Sequence, residues 1–274
     1  MIRPGLCSVT FRQLAPERVA ELAAAAGLEA IEWGGDAHVP PGDLARAGEV
    51  ARLTTDAGLA VCSYGSYFRS GADEEITPIL DSAVTLGADR VRIWAGRVDS
   101  GDATPEQYAQ VVARLQDAVT EAAELGIALA LEFHRRTLAD TPEATLRLIA
   151  DVPGLTTYWQ PTVDAQDAVA LAEYDALASH TSAVHVFSWW PFDRRLRLEE
   201  RESLWHPLFA AATAQSAPPR DALIEFVPDD DPDLLASEAA TLRRWLAPPA
   251  PTPPTQREAG AALSGEAGVD RLGT

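Results

Sequence analysis

The stretch AAELGIALALE, residues 122–132, reads as the end of a helix, then a glycine, then a short apolar strand that finishes on a carboxylate. The same phrase recurs as AAAGLEAIEW (24–33), TDAGLAVCSY (55–64) and VTLGADRVRIW (84–94). A glycine directly after a helix is the residue that tolerates the left-handed turn ending it. The runs that follow are continuously apolar, as expected of parallel strands covered on both faces. Working outward from this phrase places strands at 5–9, 29–33, 59–64, 89–94, 127–132, 155–160, 182–187 and 222–227. Amphipathic patterns fill the gaps: PERVAELAAAAG from Pro16, a segment opened by Asp43 and closed on Gly58, and a long one from Thr104 to Gly126. Pro near the first turn, Asp or Thr just before it and Gly at the end are helix start and stop signals.

Eight strand-and-helix units of roughly 30 residues each, in a chain of this length, fit a closed barrel. The expectation is an α/β fold, a single (β/α)8 TIM barrel over residues 1–247. Residues 248–274, rich in Pro, Gly and Ala, read as a disordered tail. An open doubly wound sheet is the runner-up, and no GxGxxG follows the first strand to support it.

The 274 residues carry 22 basic and 41 acidic side chains, a formal charge of −19, and 47% are hydrophobic. That balance disfavours nucleic acid as a partner, because affinity there rests on Lys and Arg neutralising phosphates. No apolar run approaches the ~18 residues of a membrane span, and MIRPGLCSVTF lacks the pattern of a signal peptide. A cytoplasmic location without a membrane partner is expected. There is no Lys at all, which excludes Schiff-base chemistry and a lysine general base. Cys7 and Cys62 lie in apolar strands and read as reduced core thiols; a catalytic or metal-binding role is the other reading.

In a (β/α)8 barrel the active site is built at the carboxyl ends of the strands. Four successive ends, the fifth to the eighth, supply Glu132, Gln160, His185 and Glu225. Oxygen and nitrogen donors converging from neighbouring strands suit a divalent ion such as Mn, Co or Mg. Such an ion clamps a sugar carbonyl and its adjacent hydroxyl and stabilises the enediolate formed when the intervening C–H loses its proton. A second carboxylate can take that proton and return it elsewhere. Glu132 and Glu225 are therefore the candidate ligand and acid–base pair; the alternative is that each is a satisfied polar group of the barrel interior.

The ordered set GLCSVTF, GLEAIEW, LEFH, VHVFSWW and LIEFV resembles the sugar phosphate isomerase/epimerase superfamily of xylose isomerase-like TIM barrels, over roughly residues 1–247. That superfamily includes ketose 3-epimerases, inosose dehydratase-like enzymes and, more distantly, endonuclease IV. The resemblance implies one divalent metal, often Mn, held by Glu, Asp, His and Glu from the last four strands. Glu132, His185 and Glu225 match three of these, and His134 falls at a substrate-contacting position. Gln160 stands where the family has Asp, and Val163 where it usually has His, which implies a weaker site or none; Asp164 is a substitute if its loop turns inward. An endonuclease IV-like role is disfavoured by the five histidines and the negative charge.

Aromatic residues crowd the strand ends. Trp33, Trp94 and Trp189 or Trp190 are candidate walls for a sugar or ring substrate, or plugs of the barrel top. Arg194, with Arg195 and Arg197, is a candidate anion fork, or a solvated loop paired with nearby glutamates; Arg92 and Arg97 are a second candidate. His38 in GGDAHVPPGD is an acid–base group reaching across the mouth, or a loop histidine. Asp229, Asp230 and Asp231 read as caps of the last helix rather than ligands. Three functions follow: an isomerase or epimerase, a lyase or dehydratase on a polyol, keto-sugar or glycoside, and a metal-free barrel with a binding role. The first two take a small carbohydrate-like substrate, and an oligomer is compatible with all three.

Overall fold

A computed structural model describes residues 1–217 and 219–247. The segment read as a disordered tail, 248–274, lies outside the described residues. Eight parallel strands close into a barrel: β1 (Arg3–Cys7), β2 (Ala30–Gly34), β3 (Ala60–Gly65), β4 (Arg90–Ile93), β5 (Ala128–Glu132), β6 (Thr156–Trp159), β7 (Thr181–Val186) and β8 (Asp221–Ile224). Each pairs with its sequence neighbours, and β8 pairs with β1 through Arg3–Asp221 and Leu6–Ile224 to shut the ring. Helices cover the outside: α1 (Pro16–Ala25), α2 (Leu44–Asp56), α3 (Thr77–Leu86), α4 (Pro105–Glu124), α5 (Pro142–Asp151), α6 (Asp167–Leu177), α7 (Glu202–Thr213) and α8 (Leu235–Leu246). The chain is thus the (β/α)8 TIM barrel that the repeated phrase implied.

The local signals act as read. Asp43 accepts a hydrogen bond from the Arg46 amide at the start of α2, and Thr104 and Gln107 form a reciprocal cap on α4. Gly27, Gly58, Gly87 and Gly126 have φ between 71° and 81°, so the recurring glycine is the left-handed residue that turns each helix back toward its next strand. Asp231 accepts from the Asp233 amide and caps a short turn just before α8.

Alternation along each strand separates two apolar regions. Ala30, Cys62, Ala130, Tyr158, Ala183 and Leu223 fill the middle of the barrel. Ile31, Trp33, Val91, Ile93, Leu129, Leu131, Trp159, Val184, Val186 and Ile224 belong to the larger core between barrel and helices. The amino end of the barrel is closed by charge. Asp221, fully buried, receives Arg3 at 2.7 Å, Arg90 at 2.6 Å and Arg220 at 3.0 Å. Such a carboxylate is stable in the interior only when paired in this way.

Candidate active site

The same alternation decides which residues face the barrel at its carboxyl end. Glu32 shares the parity of Ala30, Glu132 that of Ala130, Gln160 that of Tyr158, His185 that of Ala183, and Glu225 that of Leu223. Arg92 is flanked by the outward Val91 and Ile93, and Cys7 ends β1. These side chains form one polar layer above the apolar plug. Exposure runs from 0% at His185 through 2% at Arg92 and 3% at Glu132 to 6% at Gln160 and 7% at Glu225.

Within the layer, His185 is central. Its Nδ1 faces the Gln160 Oε1 at 3.2 Å and a Glu225 carboxylate oxygen at 3.5 Å. Its Nε2 faces Glu32 and the Cys7 sulfur, both at 3.5 Å. Arg92 lies across the other side. It donates to Glu32 at 3.0 Å and forms a close ion pair with Glu132. The Ser63 hydroxyl and the Cys7 thiol also donate to Glu32, at 2.8 and 3.2 Å. Gly65 is required here, because a Cβ would lie 2.7 Å from an Arg92 nitrogen and 2.8 Å from a Glu32 oxygen.

Burial opposes ionisation of Glu32, but Arg92, His185 and Ser63 outweigh it and hold its carboxyl well below the usual range. Glu225 moves the other way. Burial raises it, with Glu132 and Glu32 adding to the rise and His185 and Arg92 opposing. Burial would lower His185, yet Glu225, Glu32 and Glu132 together raise it. His185 and Glu225 thus each hold their proton to higher pH than they do in water.

The donor chemistry fits a divalent cation on one side of His185. Nδ1 lies within 3.5 Å of both the Gln160 carbonyl oxygen and a Glu225 oxygen, and N and O donors suit Mn, Co or Mg. One Glu132 oxygen is taken by Arg92, and the other has no hydrogen-bond partner among the described residues and is the one that could join that set. The other side fits less well. Cys7, Glu32 and His185 are the one group of three His, Cys, Asp or Glu ligand atoms mutually within 4.8 Å among the described residues. Burial raises the Cys7 thiol well above its usual value, and Glu32 and Glu225 raise it further, so a cation there would have to displace the thiol proton. Asp164 is exposed and accepts from the Phe192 amide at 3.1 Å, with no hydrogen bond to the layer among the described residues.

The structure distributes the remaining candidates unevenly. Trp94, 8% exposed, lies on the mouth beside Tyr67, with ring centroids 6.2 Å apart, and His134, 4.6 Å away. Trp189 is half-buried between Phe187 and Phe226 on a hairpin, Ser188–Trp189 against Arg195–Leu196, that follows β7. Trp190 is half-buried at the same turn, and Arg194 is exposed on it. Arg195 pairs with Asp230 and Arg197 with Glu238, so those two do not form an open fork. Trp33 has the parity opposite to Glu32; it is fully buried, donates to Thr54 on α2 at 2.9 Å, and does not wall the mouth, which corrects the expectation for it. His38 is buried against Ser8, at 3.0 Å, and the Leu14 carbonyl, at 3.2 Å, and burial lowers its pKa; it does not reach across the mouth. The inward roles of Glu32, Cys7 and Ser63 are absent from the sequence reading, although strand parity alone places Glu32 in the layer.

A family model described as xylose isomerase-like TIM barrel matches residues 20–209, more than half of the chain. The chain belongs to the xylose isomerase-like TIM barrel family. Among solved structures it is similar to the probable 3-DHS dehydratase AsbF from Bacillus anthracis, at 17% identity and a TM-score of 0.72, covering 89% of this chain and 99% of that one. It is similar to an L-ribulose 3-epimerase, at 19% identity and 0.66, covering 98% and 100%. It is also similar to the 3-keto-D-glucoside 4-epimerase YcjR from E. coli, at 17% and 0.65, covering 89% and 100%. At these identities the likeness concerns the fold. A search of curated proteins finds no significant match. No helix among the described residues is long and apolar enough to cross a membrane.

Proposed function

We propose that the chain is an isomerase or epimerase that moves a proton on a sugar or sugar-like substrate through an enediolate. The observation that carries this reading is the convergence of Glu132, His185 and Glu225, from three strands, in one buried polar layer at the carboxyl end of the barrel. Glu132, Gln160, His185 and Glu225 would hold a divalent cation, Mn or else Co or Mg. When bound, the cation supplies Lewis-acid stabilisation of the developing oxyanion. Glu225 accepts a proton from carbon and returns it, its carboxyl being tuned upward by burial toward the pH at which a base also serves as an acid. His185 orients that carboxylate from 3.5 Å. Arg92 holds Glu132 and offers a fixed positive charge to the same layer. Trp94, His134 and Trp189 form the substrate walls and Arg194 lies at the rim. The two free, buried thiols accord with a cytoplasmic location.

A second reading has its own observation. Arg92 already neutralises Glu132, and Gln160 brings no charge, so a metal-free barrel is the competing account. Both are tested by incubating the protein in D2O with five- and six-carbon ketoses, with and without Mn, Co or Mg, and following the C–H signals by NMR. Exchange that depends on added metal and is abolished by Glu225→Gln is expected; exchange accompanied by loss of water would assign the lyase alternative. No exchange with any ketose at any metal refutes the enzymatic reading, and metal-independent exchange refutes the cation. Metal analysis with thermal-shift titration checks the site separately, since a ligand that binds the folded state raises its stability by mass action.

A further inference from the structure

A second cluster lies beside the mouth, at the ends of β3 and β4. The Arg69 guanidinium stacks on Trp94, 4.0 Å above the ring centre, and its only hydrogen bond among the described residues is a long one, 3.4 Å, to the Gly96 carbonyl. It forms no ion pair among those residues. In a chain of charge −19, a half-buried arginine without a carboxylate partner is an unspent recognition group. Arg69 and Arg97 line one cavity of about 170 Å³ together with Ser70, Gly71, Gly96 and Leu138.

No carboxylate lines the cavity, and the one that bonds to both its arginines is already committed. Glu74 pairs with Arg97 at 2.6 Å and accepts the Arg69 and Gly71 amides at 2.5 and 3.3 Å. Two guanidinium groups against one carboxylate leave the cavity one positive charge in excess. Burial, and after it Arg97, lowers the Arg69 pKa, with Glu132 and Glu74 opposing. Arg69, which lines the cavity, also lies on the face of Trp94, whose ring centre is 4.6 Å from that of His134. Its indole N–H is buried and unpartnered.

We infer that Arg69, with Arg97 beside it, binds an anionic group of the substrate, so that the molecule processed here is a sugar-like compound carrying a carboxylate or a phosphate. The inference rests on the proposed function for where the substrate's reacting carbon lies, but its test does not. Saturable binding is measured by calorimetry with D-gluconate, with inorganic phosphate, and with D-sorbitol as a neutral polyol of equal chain length. Wild type is expected to bind at least one anion and to bind sorbitol at least tenfold more weakly; which anion binds tells carboxylate from phosphate. Arg69→Gln should weaken anion binding tenfold or more, Arg69→Lys less, and Arg18→Gln, on the exposed face of α1, not at all. Glu225→Gln should leave anion binding intact while abolishing C–H exchange, which separates failure of this subsite from failure of the enzymatic reading. Should Arg69→Gln not fold, Arg97→Gln and Arg69→Lys carry the comparison. Absence of anion binding, sorbitol binding as tightly as gluconate, or affinity unchanged in the folded Arg69 variants overturns the inference.

Discussion

Replacing Arg92 with Met is the most informative single perturbation. The guanidinium is 2% exposed and bridges Glu32 and Glu132, which are 1% and 3% exposed. Methionine fills comparable space without charge, so the substitution leaves two buried carboxylates short of their main partner. Removing one partner from a buried ion pair costs about 3–5 kcal/mol, because the stranded charge keeps its desolvation penalty. Glu32 retains Ser63 at 2.8 Å and His185 at 3.5 Å, which limits its share of the loss. For a domain of this size each kcal/mol moves the melting temperature by roughly 2–4 °C, so a fall of about 6–20 °C is expected by calorimetry at pH 7. The pH dependence gives a second check. The folded-state pKa of Glu32 lies below its ordinary value of 4.5, so its contribution to stability is present above that value and lost as pH falls through the folded pKa. The variant lacks most of that contribution. Its deficit should be widest above about pH 5 and narrow on acidification as the stranded carboxylates take up protons. Adding Glu32→Gln to Arg92→Met should recover part of the loss by removing one of the two stranded charges. A variant that melts within a degree of wild type, or a deficit equally wide at pH 4 and pH 7, would refute the bridging role.

Three further outcomes follow from the same geometry. Gln160→Asp should destabilise the metal-free protein by adding a carboxylate beside Glu225 and His185, yet bind Mn at least tenfold more tightly by calorimetric titration; unchanged Mn affinity removes Gln160 from the ligand set. Gly65→Ala should cost about 1–3 kcal/mol through overpacking, because its Cβ meets Arg92 and Glu32 rather than open space; a melting temperature equal to wild type contradicts that crowding. His38 has a folded pKa below its ordinary 6.5, so the unfolded chain binds more protons and stability should fall as pH drops from about 7.5 through 6.5. Burial lowers His134 as well, so the slope in His38→Gln should flatten only in part, and an unaltered slope would show that His38 is not protected from protonation.

Much of the barrel was legible because its signals are local. A left-handed glycine after a helix and an apolar run after that glycine are decided within about ten residues, and both recur along the chain. Glu132, His185 and Glu225 were legible as strand ends. Their partners were less so. The Glu32–Arg92 and Arg92–Glu132 pairs span 60 and 40 residues and form only once β2 to β5 are laid side by side. Trp33 shows what a strand-end rule misses when parity is ignored. It follows an inward glutamate directly, so its ring must point to the helices, where Thr54 receives its N–H. The identity of a strand's last residue therefore says less than its spacing from the last small residue that fills the barrel.

Charge balance in the polar layer explains why Gln is compatible with position 160. Glu32, Glu132 and Glu225 bring three negative charges, and Arg92 with a protonated His185 returns two. The remaining charge is met either by a proton held on Glu225, as its upward shift allows, or by a bound cation. An aspartate at 160 would add a further charge to a layer less than a tenth exposed, tolerable only with the cation always present. Glutamine instead offers an oxygen to His185 at 3.2 Å and leaves the layer near balance whether or not a cation is bound. A site built this way exchanges its cation for two protons, one on His185 and one on Glu225, so metal affinity should be modest and should rise with pH as ligands lose their protons.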